Sequence, residues 1–288
     1  MIRIDRRGHT IHNILQGMNP PALKQSIEAN TIESFKSWGK WARLEHQQDP
    51  EVAWTASDIP FFLFNVVLGL VPRSGMTAEA SLKAVVTATT RARTRNLPMG
   101  WWVGLTNPDP GLGQLLEDQG WFHAATLTGM AVELQTLTAP ASLPSGLTIS
   151  TVKDEESLET WCQIMTSVSE FPDFAAEAWL DMYRGMEIID DLRWSLYLGS
   201  FEGKPVSTSA LFLGAGVAGI HAVTTLPEYR GKGIATAMTY PPLLAAREQG
   251  YRIGVLFSSE MAIDIYRKIG FQEYGEGDIY MWQPEEDA

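Results

Sequence analysis

The spacing of apolar and polar positions changes repeatedly along the chain, most sharply in its second half. Residues 147–152 (LTISTV) alternate as a strand, while 155–169 and 173–186 carry apolar positions at helical spacing. Apolar runs follow at 194–201, 205–213 and 217–226. They are separated by Gly203-Lys204 and by a turn over 214–216, which predicts consecutive strands. A helix is expected over 231–249, stopped by Gly250, then a strand at 252–257 and a helix at 260–269 stopped by Gly270. Residues 271–274 and 279–282 read as closing strands. In the less regular first half, 21–46 and 78–93 are predicted helical, and 61–70, 99–105 and 130–134 are predicted strands.

Between these halves, TAPASLPSG (138–146) has no hydrophobic period and reads as a linker. The expected organisation is a first domain at 1–138, a linker at 139–146 and a second domain at 147–288. A weak repeat spans the joint. LLEDQGWFHA (115–124) and IYRKIGFQEY (265–274) are each a helix ending in glycine and an aromatic, followed by a strand. Two copies of one α/β unit would explain this, with Leu116 standing where Tyr266 stands.

Composition narrows the function. The single cysteine, Cys162, cannot form an internal disulfide and reads as a buried free thiol, and no Cys/His cluster has metal-ligand spacing, so no metal is expected. The net charge of −12 argues against nucleic-acid binding. No secretory signal follows Arg3, Arg6 and Arg7, and Met18 offers a second start. The apolar stretch 59–71 is too short to span a membrane and is interrupted by Asn65, so it reads as a buried strand. A cytoplasmic protein is expected, without membrane or nucleic-acid partners and compatible with a homodimer.

The segment VTTLPEYRGKGIATA (223–237) carries the chemistry. A β-branched strand meets Pro227, which cannot continue a ladder, and Arg230, Gly231, Lys232, Gly233, Ile234 and Ala235 then open a helix. Unpaired N–H groups, the positive helix end and two glycines make such a junction an anion site. It is not a Walker loop, and the dinucleotide fingerprint fails at Thr236, where a third glycine is required. Arg230, Gly233 and Ala235 match R-x-x-G-x-[GA] in full.

By that motif the chain resembles the GNAT (general N-acetyltransferase) superfamily. Ser259, Ala262, Tyr266 and Gly270-Phe271 resemble the family's N…A…Y…GF pattern, with Ser in place of Asn. The resemblance covers about 147–282. It implies an α/β (α+β) GNAT fold, a mixed central sheet flanked by helices, with the first half a degenerate GNAT-like domain as in tandem members. It further implies acetyl-CoA as acyl donor and a small-molecule or peptide amine as acceptor, acylated by direct attack in a ternary complex. Val223, Thr224 and Thr225 would meet the pantetheine arm and place an N–H near the thioester oxygen. Arg230 through Thr236 would hold the pyrophosphate, Ser259 would approach the cofactor, and Tyr266 would protonate the leaving thiolate.

Candidates for the general base are Glu170, between the first two helices of the second half, and His221, two residues before Val223 and expected on the same strand face; Glu260 ranks behind them. Pro241 and Pro242 are expected to kink or break the helix that follows the glycine loop. The first half's nearest counterpart of that loop, 71–76, does not match the motif, so no acetyl-CoA is expected there. Two other readings remain open: a non-catalytic acyl-CoA-binding module on the same fold, and an unrelated nucleotide-binding protein.

Overall fold

The computed structural model describes residues 3–4, 10–11, 20–48, 52–70, 77–107 and 109–284. Met18 and the loop 71–76 lie outside the described residues. Arg3–Ile4 (β1) and Thr10–Ile11 (β2) pair with each other. The other strands, β3 (Leu44–Gln48), β4 (Val52–Ser57), β5 (Val66–Leu70), β6 (Met99–Val103), β7 (Phe122–Glu133), β8 (Leu147–Thr151), β9 (Trp194–Phe201), β10 (Lys204–Gly214), β11 (Val217–Thr225), β12 (Ile253–Ser258) and β13 (Gln272–Trp282), form one mixed sheet. Its order is β3-β4-β5-β6-β13-β7-β12-β11-β10-β9-β8.

The order crosses the expected domain joint three times. β13, from the end of the chain, lies between β6 and β7, and β7 lies between β13 and β12. Residues 137–146 form no helix or strand, and the sheet runs unbroken past them.

Alternation along β10 assigns the two faces of the second half. Leu211 and Leu213 pack with α6 (Ile234–Glu248) and α7 (Ile263–Ile269); Ala210 and Phe212 pack with α4 (Glu155–Val168) and α5 (Asp173–Gly185). In the first half, α2 (Ala78–Arg95) and α3 (Leu112–Asp118) cover Trp54, Val67 and Trp101. The first helix, α1 (Pro20–Ser37), belongs to both halves. Its Ile32 and Phe35 meet Val66, Leu68 and Trp102, while its Leu23 and Ile27 bury against Val217, Ile253 and Val255.

Both copies of the helix–Gly–aromatic unit close with the same bond, from Trp121 N–H to Leu116 O and from Phe271 N–H to Tyr266 O, each 3.0 Å. Gly120 and Gly270 take the left-handed conformation that this C-cap requires.

Several expectations are corrected. The helix predicted over 21–46 stops at Ser37; the chain turns at Trp38–Lys40, and β3 follows. Trp38 and Trp41 keep a helical spacing across that turn. Gly39 permits the reversal, because a side chain there would collide with the His46 ring. The strand expected over 61–70 begins only at Val66. Asn65, buried, bends the chain instead, accepting from Ser57 N–H at 3.0 Å and donating to Ile59 O at 2.8 Å. The strands expected at 130–134, 271–274 and 279–282 are parts of the long β7 and β13, and β4 was not predicted.

The expected break at Pro241 and Pro242 does not occur, and α6 runs from Ile234 through Glu248. Pro242 cannot donate to Met238 O, but Ser209 Oγ does so at 2.9 Å. The freed carbonyl is thereby satisfied from β10.

Candidate active site

Two strands open the site. β11 and β12 are parallel and pair only at Ala218↔Gly254 and Gly219↔Val255, although each continues for several residues. Beyond that point they diverge, and backbone groups along the opening are released from mutual pairing.

At the end of β11 the glycine loop takes the form its sequence suggests. Gly231 and Gly233 both have φ of 76°, and a Cβ at Gly231 would meet nothing within 4 Å. Gly233 is the N-cap of α6 without a side-chain cap. Among the described residues, the backbone N–H groups from Gly231 to Thr236 have no acceptor. Arg230 ties back through Nε to Thr225 O at 3.1 Å, leaving its Nη groups without a protein partner among the described residues. The Lys232 ammonium rests over the rings of Phe201 and Tyr229, at 4.8 and 5.3 Å. Ile234 is buried, while Ala235 and Thr236 are partly exposed in the first turn. This donor set, open above two glycines, fits a pyrophosphate.

Along β11 a bulge changes the facing of side chains. Ala222 is left-handed at φ 49°, and the register slips between Thr208↔Thr224 and Ala210↔His221. The expectation that His221 shares a face with Val223 is therefore wrong. Val223 packs with the α6 cluster, whereas His221 stands against Trp194 and Phe212, ring centroids 5.8 and 6.4 Å away, on the α4 and α5 side. The extra residue inverts the period-2 alternation. Thr224 Oγ1 meets Thr208 Oγ1 at 2.6 Å, Thr208 Oγ1 donates to Ala222 O at 2.8 Å, and Thr225 Oγ1 meets Ser207 Oγ at 3.1 Å. These bonds hold the bulge to β10.

Tyr266, on α7, is buried in the cluster that contains Ile234, Ala237 and Leu256, with Phe271 edge-on at 5.7 Å. Burial pushes its phenol up to about 12, so it is fully protonated near neutral pH. Its hydroxyl makes no hydrogen bond to a described residue. Burial pushes His221 down to about 4, so it is neutral there. Its Nε2 lies 3.3 Å from Asn30 Oδ1.

The other candidates are peripheral. Glu170 is exposed, left-handed at φ 54°, in the turn between α4 and α5. Ser259 is exposed and caps only a 3-10 turn, Glu260–Ala262, without using its hydroxyl; the helix expected from 260 starts at Ile263. Glu260 is exposed beside it. Cys162 is buried, and that burial pushes its thiol up to about 12. Sequence reasoning missed Asn30, Thr208 and Ser209. Their signal was polarity in an apolar setting: an asparagine in the stripe Leu23, Ile27, Asn30, Ser34, and STS inside a strand otherwise apolar. Among the described residues, no group of His, Cys, Asp and Glu could hold a metal, and no helix is long and apolar enough to cross a membrane.

Comparison with known proteins agrees with this architecture. A family profile described as "Acetyltransferase (GNAT) domain" matches residues 215–274, which contain β11, the glycine loop, α6 and Tyr266. N-acetyltransferase 8B of Homo sapiens is 38% identical over 58 residues, 19% of this chain and only 26% of that protein's own length. A GCN5-related N-acetyltransferase from Kribbella flavida superposes with TM-score 0.69 at 19% identity, covering 90% of this chain and 96% of that one. One from Sphaerobacter thermophilus gives 0.66 at 16% identity, covering 94% and 95%. A tandem GNAT protein from the clavulanic acid biosynthesis pathway gives 0.60 at 14% identity, covering 93% and 96%. Residues 215–274 therefore resemble a GNAT acetyltransferase domain, in a chain that shares its fold with GNAT proteins, a tandem member among them.

Proposed function

We propose that the protein is an acetyl-CoA-dependent N-acyltransferase that acetylates an amine by direct attack in a ternary complex. The observation that carries this reading is the divergence of β11 from β12 beside a helix start whose N–H groups have no acceptor among the described residues. Gly231 through Thr236 would hold the pyrophosphate with Arg230 and Lys232. Backbone groups of Val223, Thr224 and Thr225 would receive the pantetheine arm, and a bulge N–H would stabilise the developing oxyanion. The cofactor supplies an activated acyl thioester.

The amine nitrogen attacks the thioester carbon, a C–N bond forms, and the C–S pair leaves on sulfur. Tyr266 gives its proton to that sulfur. The nitrogen's surplus proton goes to His221 and returns through solvent to the Tyr266 phenolate, so one amide and one thiol result. A base that holds a proton only below about pH 4 is too weak to deprotonate an alkylammonium. It suffices for the nitrogen once that atom is bonding to the acyl carbon and has become strongly acidic. The acceptor therefore enters as the free amine. Glu170 is the weaker base candidate, since it is exposed and no described residue orients its carboxylate.

Thermal unfolding with acetyl-CoA, ATP and NAD in turn tests the cofactor. At a hundred times its dissociation constant the right ligand stabilises by about 2.7 kcal/mol. Only acetyl-CoA should shift the midpoint, and Arg230→Ala with Gly233→Val should abolish the shift. Thiol release with a panel of amines then separates an enzyme from an acyl-CoA-binding module, which would show the shift without turnover.

A further inference from the structure

The side chain that hydrogen-bonds His221 comes from the other half of the chain. Asn30 lies on α1, is 1% exposed, and reaches the β10–β11 hairpin. Its Nδ2 lies 3.3, 3.0 and 3.4 Å from the carbonyls of Phe212, Gly214 and Val217. Three carbonyls around one amide atom require that atom to be the donor, so the amide cannot be turned around. Oδ1 is then the atom facing His221 Nε2 at 3.3 Å. An amide oxygen can only accept, so Nε2 must carry the imidazole proton. Nδ1 has no hydrogen-bond partner among the described residues.

Gly219 makes room for this contact. A Cβ there would collide with Asn30 Oδ1 and lie 2.7 Å from His221 Nε2. The space that a side chain on β11 would fill is occupied by the two interacting groups.

We infer that Asn30 is a positioning residue: from the N-terminal half it fixes His221 as the Nε2–H tautomer, leaving the Nδ1 lone pair to accept the proton from the acylated nitrogen. This rests on the transfer reading above for its consequence, but the tautomer is observable without turnover. It gives the N-terminal half a specific task in a reaction whose cofactor loop lies in the C-terminal half.

Long-range 1H–15N correlation spectra of the full-length protein labelled at histidine, with His221 assigned through His221→Gln, read the tautomer directly. The wild type should show Nε2–H and an unprotonated Nδ1. Asn30→Ala should give a tautomer mixture and lower kcat about tenfold or more while leaving KM for the acyl donor unchanged. Gly219→Ala, which keeps the amide but pushes it away, should behave as Asn30→Ala. This variant covers the case in which Asn30→Ala does not fold. A wild-type His221 protonated on Nδ1, or a tautomer unchanged in folded Asn30→Ala or Gly219→Ala, would overturn the inference. Absence of acyl transfer in the wild type, with the tautomer as expected, would instead remove the proposed function and leave the positioning contact standing.

Discussion

Tyr266 and His221 sit on opposite faces of the sheet, and burial moves their proton affinities in opposite directions. For the proposed thiolate protonation, Tyr266→Phe should lower kcat by about a hundredfold while the acetyl-CoA-induced shift in melting temperature persists. An equal loss of both would make the ring a packing residue. His221 also predicts a pH dependence of stability. It ionises near 4 in the fold and near 6.5 when unfolded, so the unfolded chain binds the proton first as pH falls. The stability is full above about 6.5, declines down to about 4 and is then flat, by up to about 3 kcal/mol. Denaturant titrations of His221→Gln across that range should lack this slope. Asp191 acts lower. Burial opposes its charge, but hydrogen bonds from Arg193 and Lys40 outweigh it and hold the carboxyl at about 2, so its contribution is lost only as pH falls from 3.8 towards 2. At this scale the form of the glycine loop was legible, because two glycines at a strand–helix junction point to the left-handed turn that the loop takes. Asn30 was not, because its partners lie 182 to 191 residues away.

At the scale of elements, the helices and strands of the second half were readable where one face is buried and the other polar. Errors arose where periodicity persisted across a turn, as at Trp38–Trp41, or was absent in a real strand. The first part of β7 is largely exposed, and the glycines of β13 mark irregular register rather than a turn. The bulge at Ala222 was invisible because nothing in HAVTT announces an inserted residue. The prolines in α6 misled for a different reason: the compensation for Pro242 lies on another element. Ser209→Ala should therefore cost about 1–3 kcal/mol, measured by urea unfolding, because it leaves the buried Met238 carbonyl without a donor. If the cost is negligible, the helix tolerates its prolines unaided.

For the whole molecule, the resemblance to one superfamily was legible, but the way the two halves combine was not. A segment beginning at 147 carries the loop, Tyr266 and β13, yet it lacks β7, the strand that joins β12 to β13. Expressed alone, it should expose three unpaired strand edges, one on β12 and both on β13, and elute as aggregate in size-exclusion chromatography. Addition of residues 1–146 during refolding should recover a soluble one-to-one complex with the acetyl-CoA-induced thermal shift. A soluble, monomeric 147–288 fragment would contradict this. The exchange of β7 and β13 also fixes the order of events at the ribosome. The nascent first half reaches β7 with the place beside β6 still vacant, and β13, which fills it, is translated only after β8 to β12. The sheet of both halves thus stays incomplete until β13 has been made, and premature termination anywhere before β13 would leave a chain with open edges exposed to aggregation.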